Sequence, residues 1–205
     1  MVLATGILPR QPAIPGIDHP KVLSYLDVLK HGATVGEKVA IIGAGGIGFD
    51  VSEFLLKPEH QSQPQPLADW QREWGIDPNP NYTSEGGIQA AEVAHPVREI
   101  YLLQRKTTPL GIGLGKTTGW IHRLSLKHRH VQMLSGVTYE KIDDQGLHII
   151  VNEQHKLLEV DHIVICAGQE SYTAMYDELL AQGQSVHLIG GAKEAGELDA
   201  KRAIR

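Results

Sequence analysis

Residues 38–50 read Lys38-Val-Ala-Ile-Ile-Gly43-Ala44-Gly45-Gly46-Ile47-Gly48-Phe-Asp50, and this stretch decides the fold. The apolar run before Gly43 has no polar alternation, the pattern of a parallel strand covered on both faces. It feeds directly into G-x-G-x-x-G, after which Val51, Phe54 and Leu55 recur at helical spacing until Pro58. Strand, glycine turn and helix in that order make the first unit of a dinucleotide-binding fold. Gly43 permits the sharp turn, Gly45 lets the backbone approach a pyrophosphate, and Gly48 lets helix and strand pack closely. The pyrophosphate would lie over the helix N-terminus, where free N–H groups point outward and the dipole favours an anion. Gly43, Ala44, Gly45, Gly46, Ile47 and Gly48 are therefore the expected seat of a nicotinamide dinucleotide; the alternative is a glycine-rich turn with no ligand.

The next apolar run, residues 99–103, ends in Gln104-Arg105-Lys106. A carboxylate at this strand end would accept the ribose hydroxyls of NAD, whereas a basic group matches the 2′-phosphate of NADP. No carboxylate stands there. Arg105 offers a guanidinium fork and Lys106 a point charge, so NADP is favoured; the competing reading is two solvated surface charges. Between helix and strand, residues 57–95 are rich in Gln, Ser, Pro and Asn and longer than an ordinary αβ loop. Trp70 and Trp74 imply that residues 67–74 dock as a short helix. Beyond the strand, Gly111, Gly113, Gly115 and Gly119 punctuate a loop whose spacing to Lys116 is one residue off a P-loop and lacks its upstream strand. That loop reads either as a flexible cover, with Lys116, His122 or Arg123 touching phosphate, or as a surface loop tethered by Trp120.

Farther out, residues 1–6 read as a strand entering a glycine turn, residues 9–20 as a proline-stiffened connector and residues 21–30 as a short helix. Residues 120–128 and 172–182 have helical patterns. Residues 131–134, 138–142, 146–151 and 157–160 resemble short strands of an accessory sheet, with a hairpin turn at residues 143–146. Residues 162–168 form another apolar strand ending in glycine, residues 185–189 a last one, and residues 199–205 begin a helix. Apolar strands separated by helices predict a doubly wound α/β layer. A strand at the first residue leads to the expectation that the chain is part of a longer protein.

With 19 Lys and Arg against 24 Asp and Glu, the formal net charge is -5, so no global field draws the chain to nucleic acid or an anionic membrane. Neither is expected as a partner. The lone Cys166 excludes an internal disulfide and fits a reducing, cytoplasmic setting. His31, His60, His95, His128 and His187 lack partners at ligand spacing, so no metal site is expected, and no residue is assigned as a catalytic acid or base.

Taken with residues 38–50 and 103–106, three stretches carry a resemblance: residues 113–123 (Gly-Leu-Gly-Lys-Thr-Thr-Gly-Trp-Ile-His-Arg), residues 164–170 (Val-Ile-Cys-Ala-Gly-Gln-Glu) and residues 186–202. Together they resemble the carboxy-terminal dinucleotide-binding portion of bacterial NADPH-dependent 2,4-dienoyl-CoA reductases, within the flavin and iron–sulfur oxidoreductases that include trimethylamine dehydrogenase. The resemblance implies an NADP-binding domain (residues 36–161, with residues 57–95 inserted) nested in a partial FAD-binding domain (residues 1–35 and 162–205). Under it, Thr5 and Gly6 and then Ala167 and Gly168 are crossing motifs between the domains, and Gly191, Ala192 and Leu198 contact FAD. Ser171-Tyr172 departs from the Pro-Asn usual there. The family's amino-terminal barrel, which carries FMN, a 4Fe-4S cluster and the 2,4-dienoyl-CoA site, is not in this sequence.

In a complete protein of that kind NADPH reduces FAD, electrons pass through the cluster to FMN, and the flavin reduces the thioester. The expectation here is an NADPH-binding, hydride-to-FAD module with no independent turnover. The alternatives are a non-catalytic nucleotide-binding scaffold and a fragment of a disulfide-reductase-like flavoprotein.

Overall fold

Consecutive apolar residues without polar alternation are stable in a strand only when both faces are covered, and residues 39–42 are each at most 1% exposed. The structure, a computed structural model, describes residues 1–57, 65–79, 81, 85–93 and 95–196. The chain begins with β1 (Val2–Leu3) and β2 (Ile7–Pro9), crosses on the proline connector, and enters β3 (Val22–Ser24) and α1 (Tyr25–Leu29). β4 (Lys38–Ile42) and α2 (Gly46–Leu55) follow, then α3 (Leu67–Glu73), β5 (Glu99–Leu103), α4 (Gly119–His128) and β6 (Gln132–Leu134). Next come β7 (Thr138–Asp143), β8 (Gly146–Val151) and β9 (Gln154–Leu158). The described part ends with β10 (His162–Ile165), β11 (Gln169–Ser171), α5 (Tyr176–Ala181) and β12 (His187–Leu188).

Five strands form one parallel sheet in the order β3-β10-β4-β5-β6. From β4 the chain continues outward through β5 and β6, while β10 returns on the opposite side. Strand order therefore reverses between β4 and β10, the place where an open parallel sheet has a crevice at its carboxyl ends.

The two faces of β4 are covered differently. Val39 and Ile41 pack with Tyr25 and Val28 of α1, Phe49, Val51 and Leu55 of α2, and Leu126 of α4. Ala40 and Ile42 pack with Ile142, Leu147, Ile149 and Leu158 of the antiparallel sheet β7-β8-β9. The fold is thus a Rossmann-like parallel sheet with a small antiparallel accessory sheet, helices on one face only. This is the α/β architecture that the apolar strands and the short alternating strands of residues 138–160 predict, the accessory sheet covering the face opposite α1, α2 and α4. Its hairpins close by two-residue turns, Asp144-Gln145 and Asn152-Glu153, the latter with φ of 50° and 61°.

Other boundaries moved as well. Residues 21–30 are not one helix: Val22–Ser24 adds to the sheet edge beside β10, and Ser24 caps α1 through a reciprocal capping box with Asp27. β6 belongs to the parallel sheet, not the accessory one, because it pairs with β5. β9 spans Gln154–Leu158 and α5 begins only at Tyr176, since Gln169–Ser171 pairs with β2. β3 and β10 are hydrogen-bonded into the same sheet as β4. The helix expected at residues 199–205 lies outside the described residues.

Candidate dinucleotide-binding site

Each glycine of the turn is required for a different reason. Gly43 has φ +115°, and a Cβ there would lie 2.3 Å from the Cys166 carbonyl oxygen of neighbouring β10. A Cβ on Gly48 would sit 1.8 Å from the Gly43 carbonyl oxygen, so helix and strand can approach this closely only without a side chain. Around Gly45 and Gly46 no side chain or backbone atom of the described residues, apart from their chain neighbours and the helix's own backbone, lies within 4 Å of such a Cβ, and both residues are exposed. Gly43 N–H donates to Leu103 O at 2.9 Å, tying the turn to β5. Among the described residues, the N–H groups of Ala44, Gly45, Gly46, Ile47 and Gly48 have no protein acceptor. These five amides lie at the positive end of a ten-residue helix, and Gly45 and Gly46 among them are exposed.

The helix is fixed at both ends. Ser52 is fully buried and its hydroxyl donates to Gly48 O at 2.7 Å. At the other end, Arg98 donates from Nη1 to Leu55 O at 2.9 Å and from Nε to Gly36 O at 3.1 Å, placing positive charge at the helix C-terminus. α4 is joined to α2 by His122 Nδ1 and Glu53 Oε1, 2.8 Å apart.

Arg105 and Lys106 lie exposed on the loop that leaves β5, and among the described residues neither side chain has a hydrogen-bond or ion-pair partner. The Arg105 charge reaches Tyr139 of the accessory sheet: burial pushes that hydroxyl above the usual tyrosine range, and the guanidinium opposes the shift. On the other side of β4, Gly168 has φ +102°, and Arg10 donates from Nε (2.9 Å) and Nη2 to Ala167 O. Arg10 N–H also donates to Gly168 O at 3.1 Å. Beside this clasp, at the carboxyl ends of β3 and β10, is a cavity of about 390 Å³ lined by Arg10, Ile17, His19, Val22, Ser24 and Ile165.

Thr5, Gly6, Gly191 and Ala192 form a separate cluster. Thr5 donates its hydroxyl to Tyr172 O, and Tyr172 N–H donates to Gly6 O at 3.1 Å. A Cβ on Gly191 would be 2.8 Å from Ile7 Cγ2 and 3.2 Å from the Gly6 carbonyl carbon, and Ala192 is 1% exposed. This space is filled by protein, which accounts for Gly191 without a ligand. Leu198 lies outside the described residues.

The loop over residues 111–119 is anchored and not a free cover. Gly111 (φ +72°) lies against the Phe49 ring, and Arg123 Nη1 donates to Gly111 O at 2.9 Å. Arg123 and His122 are therefore engaged with protein, leaving Lys116 exposed. Trp120 tethers nothing by burial, being 54% exposed; its indole N–H donates to Thr117 O at 3.0 Å. α3 docks as its tryptophans imply, through Trp74 near His128 and the Glu73–Arg129 ion pair. Burial pushes the Cys166 thiol up to about 12, which makes it an inert core group. No helix among the described residues is long and apolar enough to cross a membrane.

Sequence reasoning missed Arg10, Arg98 and Gln104. Each acts by donating from a side chain to backbone carbonyls, an arrangement that leaves no periodicity in the sequence.

The pyridine nucleotide-disulphide oxidoreductase family matches residues 1–187. A metal reductase of Desulforamulus reducens is 26% identical over 202 residues, spanning 94% of this chain and 27% of its own length. A 2-naphthoyl-CoA reductase structure, in complex with 2-naphthoyl-CoA, superposes with a TM-score of 0.71 at 20% identity over 99% of this chain and 25% of that one. An engineered water-forming NADPH oxidase bound to NADPH gives 0.55 at 17% identity, over 93% and 38%. These structural likenesses establish the fold. The chain spans about a quarter of the length of the curated relatives it matches.

Proposed function

As the chain belongs to the pyridine nucleotide-disulphide oxidoreductase family, we propose that it holds NADPH across the carboxyl ends of its parallel sheet. The pyrophosphate lies on the amides of residues 44–48, and Arg105 with Lys106 receives the 2′-phosphate. The observation that carries this reading is the row of unengaged N–H groups facing open space at Gly45 and Gly46. From that row the adenosine runs toward β5. The nicotinamide half runs the other way, past Ala167 and Gly168 toward the cavity at β3 and β10.

The chain's own residues bind and orient the dinucleotide: the turn takes the charge of the diphosphate, Arg98 and Ser52 hold the helix that carries it, and Arg10 fixes the turn after β10. Bound FAD would accept hydride, as is usual for flavoproteins. Thr5, Gly6, Gly191 and Ala192 fit that group poorly in this structure, because Gly191 is already packed on Gly6 and Ile7. FAD binding is therefore proposed on family membership, with Leu198 among its contacts.

The family match favours a disulfide-reductase-like flavoprotein module over a more specific identity. Cys166 is buried and the sole cysteine of this sequence, so any thiol chemistry would belong to residues outside it. A 2,4-dienoyl-CoA reductase is the narrower reading; it rests on the resemblance carried together by residues 38–50, 103–106, 113–123, 164–170 and 186–202, and FMN, a 4Fe-4S cluster and the acyl-CoA substrate would enter only in the complete enzyme. Titration calorimetry on this chain tests the core of the proposal: NADPH should bind more tightly than NADH, and absence of binding by either would end it. Retention of FAD through gel filtration tests the second cofactor separately.

A further inference from the structure

The loop carrying Arg105 is held by the residue before it. Gln104 spends both N–H bonds of its side-chain amide on the chain just ahead, donating from Nε2 to Lys106 O at 3.1 Å and to Thr108 O. Its backbone is tied on both sides: Gln104 N–H donates to Leu134 O at 3.0 Å and Val137 N–H donates to Gln104 O at 3.0 Å. Gly136 N–H donates to Lys106 O at 2.9 Å. Residues 104, 106 and 108 are thus pinned while Arg105, at the apex, makes no hydrogen bond among the described residues.

From this arrangement we infer that Gln104 is a positioning residue that sets the preference for a 2′-phosphorylated dinucleotide. It curls the chain around its own amide so that the Arg105 guanidinium is held out toward the ribose, with less rotational freedom to lose on binding. The inference rests on the assignment of Arg105 to the 2′-phosphate. Gln at this strand end has a second consequence. A Glu there would face two carbonyl oxygens with a carboxylate, expel the loop, and swing out as an acceptor for unphosphorylated ribose hydroxyls.

The test is calorimetry of NADPH, NADH, 2′,5′-ADP and 5′-ADP against the 205-residue chain and its Arg105→Ala, Gln104→Met and Gln104→Glu variants, with thermal midpoints as the folding control. Gln104→Met keeps the length of the side chain and removes its donors. It should weaken NADPH and 2′,5′-ADP by about fivefold, the weight of one net hydrogen bond, and leave NADH and 5′-ADP within about twofold. In an Arg105→Ala background the same change should do nothing further. Gln104→Glu should reverse the order of NADPH and NADH. Equal losses for phosphorylated and unphosphorylated ligands, or no loss for any, would overturn the inference while leaving Arg105 in its role. A full NADPH preference in Arg105→Ala would instead overturn the phosphate assignment itself, and the inference with it.

Discussion

Two glycine clusters stand on opposite sides of this molecule's chemistry, and they use the same residue for opposite ends. At Gly45 and Gly46 the missing side chain leaves space that no other element among the described residues enters, whereas at Gly191 it leaves space that Ile7 and Gly6 already occupy. The first leaves open space beside unengaged amides, where the dinucleotide is proposed to lie; the second is a packing joint. Gly48 shows that both uses coexist within one motif, since its absent Cβ is what lets α2 approach β4. A glycine count therefore says little about binding until the neighbourhood of each missing Cβ is known.

The strongest way to break the contrast is inside the motif. Gly48→Val puts a branched side chain where even a Cβ would lie 1.8 Å from a backbone oxygen, and should cost about 3 kcal/mol or more, measured by urea unfolding. Gly45→Val meets no other element among the described residues and should leave the unfolding midpoint nearly unchanged. It should weaken NADPH at least about thirtyfold, as one charge-assisted hydrogen bond worth about 2 kcal/mol is blocked. If the two variants lost stability equally, the distinction between an opening and a joint would be wrong. Next in size, Arg105→Ala should lower the NADPH-over-NADH affinity ratio about tenfold, less at high salt because the site is exposed. A ratio unchanged between low and high salt would remove the guanidinium from its role.

The opening was legible in the sequence because its requirements are local. An apolar run, three glycines at fixed spacing and a helical pattern lie within the eighteen residues 38–55, and β4 and β5 occupy the residues expected of them. Non-local partners were not legible. Val22–Ser24 is a strand only because β10, some 140 residues later, offers its edge; on its own, the spacing of Leu23, Leu26 and Leu29 imitates a helix. The capping pair Ser24 and Asp27 was the available sign that the helix starts later. The same limit hid which sheet would receive β6, since three residues give no face pattern. It also hid the clasps made by Arg10, Arg98 and Gln104, whose carbonyl acceptors are chosen by the folded backbone.

The smallest expected effect bears on the joint itself. A Cβ at Gly191 would meet the flexible end of Ile7 at 2.8 Å and the Gly6 carbonyl carbon at 3.2 Å, so the contact can relax in part by turning Ile7. Gly191→Ala should then destabilise the chain by about 1 kcal/mol, as a mild overpacking, and leave NADPH affinity untouched because its cluster is separate from the Gly43 turn. Thermal unfolding followed with and without added FAD decides between the two uses of glycine. A loss of stability that is the same with and without FAD is what a packing joint gives. A variant as stable as the parent, but no longer stabilised by FAD, would make Gly191 a ligand turn like Gly45, and the two clusters would then differ only in which cofactor they face.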